Sequence, residues 1–338
     1  MSENNYATYT YVGKHDKLVK KIRVISPSTS FEVFSDYNFE RSKELLKAEG
    51  YEVEFAEDWN SRKMDEASKV KAIHDAYSDN SVDIIVCSFG GTHSVSLVDK
   101  LDYSLISHKP KPFVGFSDIT VLLNAIFVKT GNSTFYGPLY FTLQQQFEQA
   151  FTFKYFNRAV SGDSGYELGK AKSVQDYDYA PGSASKINEY WVIKHGKSEG
   201  ITVGGHIPTF SLLQGTEYFP NLRDKVLLLE MNELDEDYTI DMFYRLLKSL
   251  KMQIGFNELK GVLIGTFHSR SKVTFEMLSE LLIELMGEAE IPILANCSFG
   301  HTIPFATIPI GLPVMIETNG EPKITIYQQN LKPTEVWL

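Results

Sequence analysis

The sequence predicts an α/β protein of two domains, the first with a mostly parallel sheet and the second with mixed α and β content. Three observations support this class. The chain has 338 residues, more than a single hydrophobic core usually organises. Apolar runs of strand length alternate with helical patterns between residues 22 and 136, and a second series of apolar runs begins at 188. The stretch that separates the two series has no sustained period.

The first domain is predicted from strand and helix patterns that take turns along the chain. Runs of strand length lie at 22–26, 51–55, 82–88 and 112–116. Helical patterns lie near 37–49, within 61–77, after Thr92 and at 118–129. Apolar strands separated by helices indicate a parallel sheet that is covered on both faces.

The second domain is predicted from a later series of apolar runs: YWVI, GITVGG, KVLLLE, GVLIGTF, PILANC and PVMIET, with helices near 237–250 and 274–287. The stretch before them is rich in Gly, Ser, Asp and Tyr, which is typical of a linker with a long loop. We therefore expect an N-terminal domain at 1–165, a linker and loop at 166–187 and a C-terminal domain at 188–338.

Composition and charge narrow the classes of function. The net charge is −10, from 43 acidic and 33 basic residues, and no basic stripe would neutralise a run of phosphates, so nucleic acid is not an expected partner. No segment approaches the roughly 20 apolar residues of a membrane span, and the N-terminus lacks the apolar centre of a signal peptide. The only cysteines, Cys87 and Cys297, lie in apolar stretches. We expect a cytoplasmic protein with no membrane contact.

The strongest local signal for chemistry is Gly115-Phe116-Ser117-Asp118, where a predicted strand meets a predicted helix. A serine at a tight strand-to-helix turn projects its hydroxyl above the sheet, and the helix N-terminus offers free N–H groups to a developing oxyanion. The pattern G-x-S-x-G is incomplete, because Ile119 replaces the second glycine. Two structural roles stay open: Ser117 as a helix N-cap, and Asp118 as a first-turn acid that complements the helix dipole.

A second signal is Phe89-Gly90-Gly91-Thr92, directly after an apolar strand. Ligands of parallel sheets bind beyond the carboxyl ends of the strands, and paired glycines allow backbone N–H groups to approach a ligand. A plain tight turn explains the same residues. Neither G-x-G-x-x-G nor a P-loop lysine occurs, so a nicotinamide-dependent oxidoreductase is not favoured and no cofactor is expected.

A serine nucleophile needs a base and a group that orients the base, so the histidines are candidates. The sequence has eight of them: His15, His74, His93, His108, His195, His206, His268 and His301. His301 lies in an irregular segment after Phe299-Gly300, which suits a loop that delivers a side chain to a cleft. Three others, His93, His206 and His268, could also line a pocket, and the residues alone do not rank them.

Glu230 is the acid that stands out, because it ends the apolar run VLLLE. A carboxylate at the end of a buried strand must find a partner, and a lysine or arginine is the structural alternative to a catalytic one. No H-E-x-x-H or C-x-x-C spacing occurs. Metal-dependent hydrolysis is therefore not favoured, and no metal is expected.

Six segments together resemble the LD-carboxypeptidase family, which also contains the microcin C immunity peptidases. They are SFGG at 88–91, LDYSLISHKPKPFVGFSDIT at 101–120, TGNSTFYGP at 130–138, KSEGITVGGH at 197–206, LLLE at 227–230 and GHTIPFATIPIG at 300–311. The segments follow the order of the family from about residue 22 to near the C-terminus, which is far more specific than any single motif.

The resemblance implies an N-terminal three-layer α/β domain, a C-terminal domain of mixed β structure and an active site between them, in a homodimer. Carried over by motif, Ser117 is the nucleophile, His301 is the base and Glu230 is the acid that holds the imidazole. The backbone N–H groups of Gly91 and Asp118 would form the oxyanion hole. The implied reaction is hydrolysis of an amide bond through an acyl-enzyme.

Two classes of substrate are implied by the two branches of the family. The stretches at 188–200 and 215–223 look closer to the immunity branch, which implies aminoacyl nucleotide analogues, whereas the other branch implies murein tetrapeptides. In the immunity branch a tryptophan is expected to stack on the base. The corresponding loop, at 173–180, offers Tyr177 and Tyr179, which could stack in its place.

Some positions depart from the family pattern. His206 stands where the immunity branch tends to have asparagine, and Met231-Asn232 follow Glu230 where an aspartate is usual. Together with Gly90 and the two loop tyrosines, His206 completes the expected substrate-binding set. A ligand-binding protein without catalysis is the remaining alternative, and the intact set of serine, histidine and glutamate argues against it.

Overall fold

Three β-sheets organise the chain, in which the computed structural model describes residues 20–29, 39–57, 59, 65–162, 165–176, 185–232 and 236–328. The first sheet has six strands, the second eight and the third three. The first sheet is built mainly from the N-terminal half of the chain and the second mainly from the C-terminal half.

The first sheet is parallel except for one edge strand, which comes from the C-terminal half of the chain. Its strands are β1 (Lys20–Ile25), β2 (Tyr51–Phe55), β3 (Ile84–Cys87), β4 (Phe113–Gly115), β5 (Thr134–Tyr136) and β15 (Ile308–Ile310), in the order β15-β5-β4-β3-β1-β2. Strand β15 pairs antiparallel with β5. The helices of this half are α1 (Phe39–Ala48), α2 (Glu66–Ser78), α3 (Tyr103–His108), α4 (Thr120–Thr130) and α5 (Gln149–Ser161). Short 3₁₀ helices lie at Ser94–Lys100, Ser117–Ile119 and Thr142–Gln144.

Helices cover both faces of the first sheet. Side chains alternate along a strand, so Ile84 and Val86 of β3 point to one face and Ile85 and Cys87 to the other. The first pair belongs to a buried cluster with residues of α1 and α5, and the second pair to a cluster with residues of α2, α3 and α4. This three-layer arrangement confirms the predicted class of the N-terminal half.

The second sheet is parallel in its centre and antiparallel at both edges. Its strands are β6 (Tyr166–Glu167), β9 (Trp191–Lys194), β10 (Lys197–His206), β11 (Lys225–Glu230), β12 (Gly261–Gly265), β13 (Ile293–Cys297), β16 (Pro313–Glu317) and β17 (Lys323–Ile326), in the order β6-β17-β16-β10-β11-β12-β13-β9. The helices are α6 (Ile207–Ser211), α7 (Glu236–Lys251) and α8 (Phe275–Met286), with 3₁₀ helices at Phe256–Glu258 and Ser269–Ser271. The mixed, β-rich second domain is thereby confirmed.

None of the helices in the described ranges combines the length and the apolar character that crossing a bilayer requires. The two cysteines, Cys87 in β3 and Cys297 in β13, are buried free thiols.

Two strands of the third sheet lie in the stretch expected to be a linker. The sheet consists of β14 (Thr302–Ile303), β7 (Ser173–Asp176) and β8 (Ser185–Ile187), in the order β14-β7-β8. With β6, the stretch at 166–187 thus contains three strands. Strands of two to four residues are too short to show a period, which is why the sequence pattern does not reveal them. The division at 165 and 188 stays a prediction, and β6 and β15 both pair across it.

Two sets of contacts join the halves of the chain. Ile308 of β15 pairs with Tyr136 of β5, so a C-terminal segment completes the N-terminal sheet. The side chain of Asn124 in α4 accepts from the backbone N–H of Gly204 in β10 at 3.0 Å and donates to its carbonyl at 2.9 Å. The same helix begins next to Ser117, so these contacts fix the nucleophile candidate against the second sheet.

Candidate active site

Ser117 stands at the turn between β4 and α4. Its backbone has φ 59°, in the left-handed region that residues with a side chain rarely adopt. Gly115 is needed two residues earlier, because a Cβ there would lie 2.9 Å from Cγ2 of Ile119. Ile119 is fully buried, so the residue that departs from G-x-S-x-G packs over the first glycine. The turn has the strained backbone of a nucleophile elbow.

Ser117, His301 and Glu230 form one hydrogen-bonded chain. His301 Nε2 lies 3.2 Å from Ser117 Oγ, and His301 Nδ1 lies 2.8 Å from Glu230 Oε2. An ionised carboxylate only accepts hydrogen bonds, so Nδ1 carries the ring proton and Nε2 accepts from the serine hydroxyl. In this tautomer the imidazole is able to take the serine proton.

The three side chains come from three separate elements. Ser117 follows β4, Glu230 ends β11, and His301 lies on the segment between β13 and β14. Gly300 allows the close approach of this segment, because its φ is 107° and a Cβ there would lie 3.0 Å from Glu230 Oε2. The structure therefore brings together residues that are 71 and 184 positions apart in the sequence.

Glu230 is almost fully buried, and a tyrosine binds its second oxygen. The hydroxyl of Tyr136 donates to Oε1. Burial alone would raise the pKa of the Glu230 carboxyl, but the charge and hydrogen bond of His301, then the charge of His206 and the Tyr136 hydroxyl, hold the pKa below its usual range. Burial and the Glu230 charge raise the pKa of Tyr136 well above its ordinary value, so the phenol stays a donor. In the sequence, the only signal for Tyr136 was its position in the family motif TGNSTFYGP.

The Gly90-Gly91 turn lies against Ser117. A Cβ at Gly90 would come within 3.3 Å of both Cβ and Oγ of Ser117. Gly91 has φ 143°, and a Cβ there would overlap Thr29 Oγ1 at 2.0 Å and Ser28 Oγ at 2.6 Å. Gly91 therefore requires glycine, a side chain at Gly90 would crowd Ser117, and the turn is a close neighbour of the nucleophile candidate rather than a remote connection.

The carboxylate of Asp118 holds two loops together. Its Oδ2 accepts from the hydroxyl of Ser28 and, at 2.8 Å, from the backbone N–H of Ser94. The buried ammonium of Lys69 donates to the Ser28 carbonyl at 2.5 Å. Asp118 lies in the first turn of its helix and is 3% exposed, so its side chain acts there as a buried brace. Sequence analysis missed Ser28, Ser94 and Lys69, since no local pattern connects them.

His206 is a second buried histidine beside His301. The two ring centroids are 5.2 Å apart. His206 Nε2 lies 2.8 Å from Asn232 Oδ1 and Nδ1 lies 2.7 Å from Thr209 Oγ1. Burial lowers the pKa of His206, and the neighbouring His301 adds to this effect while Glu230 opposes it. One ligand atom from each of His206, Glu230 and His301 lies within 4.8 Å of the others, a grouping that could hold a metal ion.

The other candidate histidines occupy different places. His93 is exposed and precedes the 3₁₀ helix at Ser94–Lys100. His268 is buried 3.9 Å from an oxygen of Asp176 and accepts from the N–H of Arg270. Ring nitrogens of the remaining described histidines meet backbone groups: His74 with Asp102, His108 with Ser104 and His195 with Thr318. The structure thus selects His301 as the histidine hydrogen-bonded to Ser117.

The loop expected to contact substrate begins beside His301. Thr302, the next residue after His301, pairs with Asp176 across β14 and β7. Asp176 also accepts from the backbone N–H of Ser269 at 2.8 Å, which anchors the end of β7. Tyr177 and Tyr179 themselves lie outside the described residues.

A strained serine that hydrogen-bonds a histidine, which in turn meets a buried carboxylate, defines a serine hydrolase site on this two-domain α/β fold. The chain belongs to the LD-carboxypeptidase family: residues 22–137 match the LD-carboxypeptidase N-terminal domain and residues 199–316 match the LD-carboxypeptidase C-terminal domain. It is a serine carboxypeptidase, as the resemblance implied.

Relatives from both branches of the family are similar to this chain. The carboxypeptidase-named protein YocD of Bacillus subtilis is 36% identical over 88% of this chain and 93% of its own length. A second Bacillus subtilis protein, named as a murein peptide carboxypeptidase, is 30% identical over 73% of this chain and 72% of its own. The microcin C7 self-immunity protein MccF of Escherichia coli is 28% identical over 73% and 74%.

A solved structure shares the fold over nearly the whole chain. The crystal structure of an MccF-like protein from Bacillus anthracis is 35% identical in sequence, with a TM-score of 0.90 over 94% of this chain and 99% of that one. MccF has been solved in complex with aspartyl sulfamoyl adenosine, and its fold matches with a TM-score of 0.85 at 23% identity over 96% of this chain and all of that one.

Proposed function

We propose that the chain hydrolyses an amide bond through a triad of Ser117, His301 and Glu230. The observation that supports this proposal is the continuous path of two hydrogen bonds, 3.2 Å and 2.8 Å long, from the serine hydroxyl to the buried carboxylate. Nucleophile, base and orienting acid are the parts that acyl transfer needs, and each is delivered by a different element.

The reaction proceeds in two halves. His301 Nε2 takes the proton of Ser117 as Oγ attacks the amide carbonyl, and the imidazolium then protonates the leaving amine, so that an ester to Ser117 remains. Water gives a proton to the same nitrogen as it attacks the ester carbonyl. The bond to Ser117 Oγ then breaks, His301 Nε2 returns the proton to Oγ, and the acid is released. Glu230 keeps the ring in the reactive tautomer and stabilises the imidazolium, because its low pKa keeps it ionised.

The backbone N–H groups of Gly91 and Asp118 stabilise the oxyanion. The close approach of the Gly90-Gly91 turn to Ser117 supports this role, as does the position of Asp118 in the first turn of a helix, where N–H groups lack helical partners. A Cβ at Gly90 would lie 3.9 Å from the Asp118 nitrogen, so the turn and the helix start face the same point.

The substrate is an aminoacyl nucleotide analogue of the kind that MccF binds. The similarity to MccF and to the MccF-like structure supports this choice. The substrate contacts come from Gly90 and His206 beside the triad and from Tyr177 and Tyr179, which follow in the sequence directly after Asp176, the partner of Thr302. Tyrosine stacks on a base with about 1 kcal/mol per ring pair.

A murein tetrapeptide is the second candidate substrate. The 30% identity to a protein named as a murein peptide carboxypeptidase favours it. The chain then cleaves the bond to a terminal D-amino acid in cell-wall recycling. A preference for the tetrapeptide over an aminoacyl sulfamoyl adenosine, unchanged by Tyr177→Ala or Tyr179→Ala, would select this reaction.

Turnover of the Ser117→Ala variant on both substrates is the test of the triad. We expect kcat to fall by roughly 10⁴-fold or more with the fold retained, since a triad member acts as part of one unit. His301→Ala should behave in the same way, while His93→Ala and His268→Ala should keep most of the rate. Activity of Ser117→Ala above a few per cent of the parent rate would refute the assignment, as would substrate binding without any turnover of the parent.

The working state is a cytoplasmic homodimer. Two buried free thiols agree with a reducing compartment, and the resemblance to the family implies a dimer. Light scattering of the purified chain measures its mass directly. A monomer of 38.3 kDa at working concentration would exclude the dimer.

A further inference from the structure

Two imidazoles and a carboxylate converge beside the nucleophile. His206 and Glu230 are paired in register at the ends of β10 and β11, and His301 reaches them from the segment between β13 and β14. One ligand atom from each of the three lies within 4.8 Å of the others. Two histidines and a glutamate are a ligand set that binds zinc in other proteins.

The three side chains need only small movements to hold one ion. Zinc binds nitrogen and oxygen ligands at about 2.0–2.2 Å, which places two tetrahedral ligand atoms roughly 3.3 Å apart. His301 Nδ1 and Glu230 Oε2 are now 2.8 Å apart, so they would separate slightly. The widest of the other separations is at most 4.8 Å, so it would have to shrink by up to about 1.5 Å.

The surroundings of His206 favour such a rotation. Its ring nitrogens meet only neutral groups, Asn232 Oδ1 and Thr209 Oγ1. When Nε2 turns to an ion, the Asn232 amide that it leaves can pair with water at the cleft, because Asn232 is only partly buried. The partner that keeps its bond then orients the ring, as the outer partners of zinc-bound histidines do.

We propose that His206, Glu230 and His301 form a zinc site that switches the enzyme off. The ion binds Nδ1 of His301 and an oxygen of Glu230, and the proton of Nδ1 is carried instead on Nε2. Nε2 then donates and no longer accepts from Ser117, so the base is lost although every residue is present. The ring stays neutral and the carboxylate stays ionised throughout. Zinc binding is independent of the proposed function, whereas inhibition rests on it.

Binding is measured in the full chain carrying Ser117→Ala, which lacks turnover but keeps all three ligands. Calorimetry with Zn²⁺ and visible absorbance with Co²⁺ should both show one site. Adding His206→Asn should weaken binding by at least about 100-fold, since even the outer partners of zinc ligands are worth 10–100-fold. The matched control is His268→Asn, another buried histidine near a carboxylate, which should leave the affinity unchanged.

Each outcome decides a separate point. Absence of binding at about 100 μM Zn²⁺, or binding that His206→Asn leaves intact, overturns the zinc site. If His206→Asn does not fold, His301→Asn in the same background removes a different ligand and must also abolish the Co²⁺ spectrum. In the parent chain Zn²⁺ should stop turnover, and a chelator should restore it. Zinc binding with an active Ser117→Ala variant would leave the zinc site standing and refute the triad.

Discussion

At the scale of single residues, Tyr136 links the acid to the nucleophile. Its hydroxyl donates to Glu230 Oε1 and lies 3.5 Å from the backbone nitrogen of Ser117. The side chain is fully buried, so the hydroxyl has no exchange with water. Tyr136 is therefore a positioning residue: it fixes the carboxylate whose other oxygen meets His301.

Tyr136→Phe removes this hydroxyl without changing the shape of the core. We expect kcat to fall roughly tenfold, since a charge-assisted hydrogen bond contributes about 1.5–3 kcal/mol. The folded-state pKa of Glu230 is depressed, and loss of one donor raises it towards the ordinary value. The ionised acid is then lost at a higher pH, so the acidic limb of the kcat/KM profile should move upward.

Tyr140→Phe is the control for this variant. Tyr140 is equally buried, but its hydroxyl donates to the backbone carbonyl of Phe39, away from the triad. It should leave the pH profile in place. A Tyr136→Phe enzyme with the parent profile would show that the hydroxyl does not tune Glu230.

Sequence reasoning reached some of these residues and not others. Ser117 and Glu230 each stand at the end of an apolar run, where a polar side chain is conspicuous, and the family motifs supplied His301. Tyr136 and Lys69 look like ordinary core and helix residues in the sequence. Their partners are 94 and 41 positions away, so only the folded chain reveals their roles.

At the scale of elements, the Gly90-Gly91 turn controls the space next to the nucleophile. The backbone N–H of Thr29 donates to the Gly90 carbonyl at 3.1 Å, and the hydroxyl of Ser28 binds Asp118. The loop after β1 therefore braces both proposed oxyanion donors from behind. A change in this turn should therefore alter the rate by moving the N–H groups of Gly91 and Asp118.

Gly91→Ala should remove activity more than stability. The new Cβ would overlap Thr29 Oγ1 and Ser28 Oγ, so the turn must shift and carry the Gly91 N–H with it. Loss of one oxyanion donor lowers kcat by about 10²–10³-fold. Steady-state rates and urea unfolding of the same preparation measure the two effects.

Gly50→Ala is the control for Gly91→Ala, because it adds the backbone strain of a side chain at positive φ without moving the Gly91 N–H. Gly50 has φ 89° and no atom within 4 Å of the added Cβ, so only strain of about 1 kcal/mol is expected. This variant should be less stable and fully active. If Gly91→Ala were equally active, the turn would have no part in oxyanion binding.

The predicted elements hold best where each element is locally regular. The strand expected at 51–55 matches β2, and the helix expected at 118–129 matches the 3₁₀ turn and α4 within a residue or two. Strands β6, β7 and β8 escape prediction because each has two to four residues, and β15 because its pairing with β5 crosses more than 170 positions.

At the scale of the whole molecule, the two halves must dock for Ser117, His301 and Glu230, the proposed triad, to meet. Asn124 supplies the most direct polar link, with both side-chain atoms bound to the buried backbone of Gly204. Thr120 adds a second link, since its hydroxyl oxygen accepts from the N–H of His206 at 3.2 Å. Ser117 and Glu230 are held in register through these contacts.

Asn124→Ala should weaken both docking and catalysis. The N–H and carbonyl of Gly204 would lose their partner in a buried place, which costs about 2–4 kcal/mol in the free energy of unfolding. A looser fit between Ser117 and the Glu230–His301 pair should also lower kcat. Urea unfolding with simultaneous rate measurements gives both quantities.

Asn157→Ala is the comparison for Asn124→Ala. Asn157 makes two side-chain hydrogen bonds, to Tyr51 and Glu49, at a partly exposed site on α5. It should cost less than about 1 kcal/mol and leave the rate unchanged. Equal effects of the two variants would mean that Asn124 stabilises its own helix only and does not align the halves.

Strand β15 pairs with β5 but is synthesised long after it, so the first sheet stays incomplete while the chain is being made. Synthesis runs from the N-terminus, so Ser117 leaves the ribosome nearly two hundred residues before His301. The strand that completes the first sheet, Ile308–Ile310, emerges later still. A nascent chain can thus fold much of its first half while it lacks both base and acid. Hydrolysis by the proposed triad therefore requires synthesis to pass residue 301, and a fragment cut short before that residue should be inert.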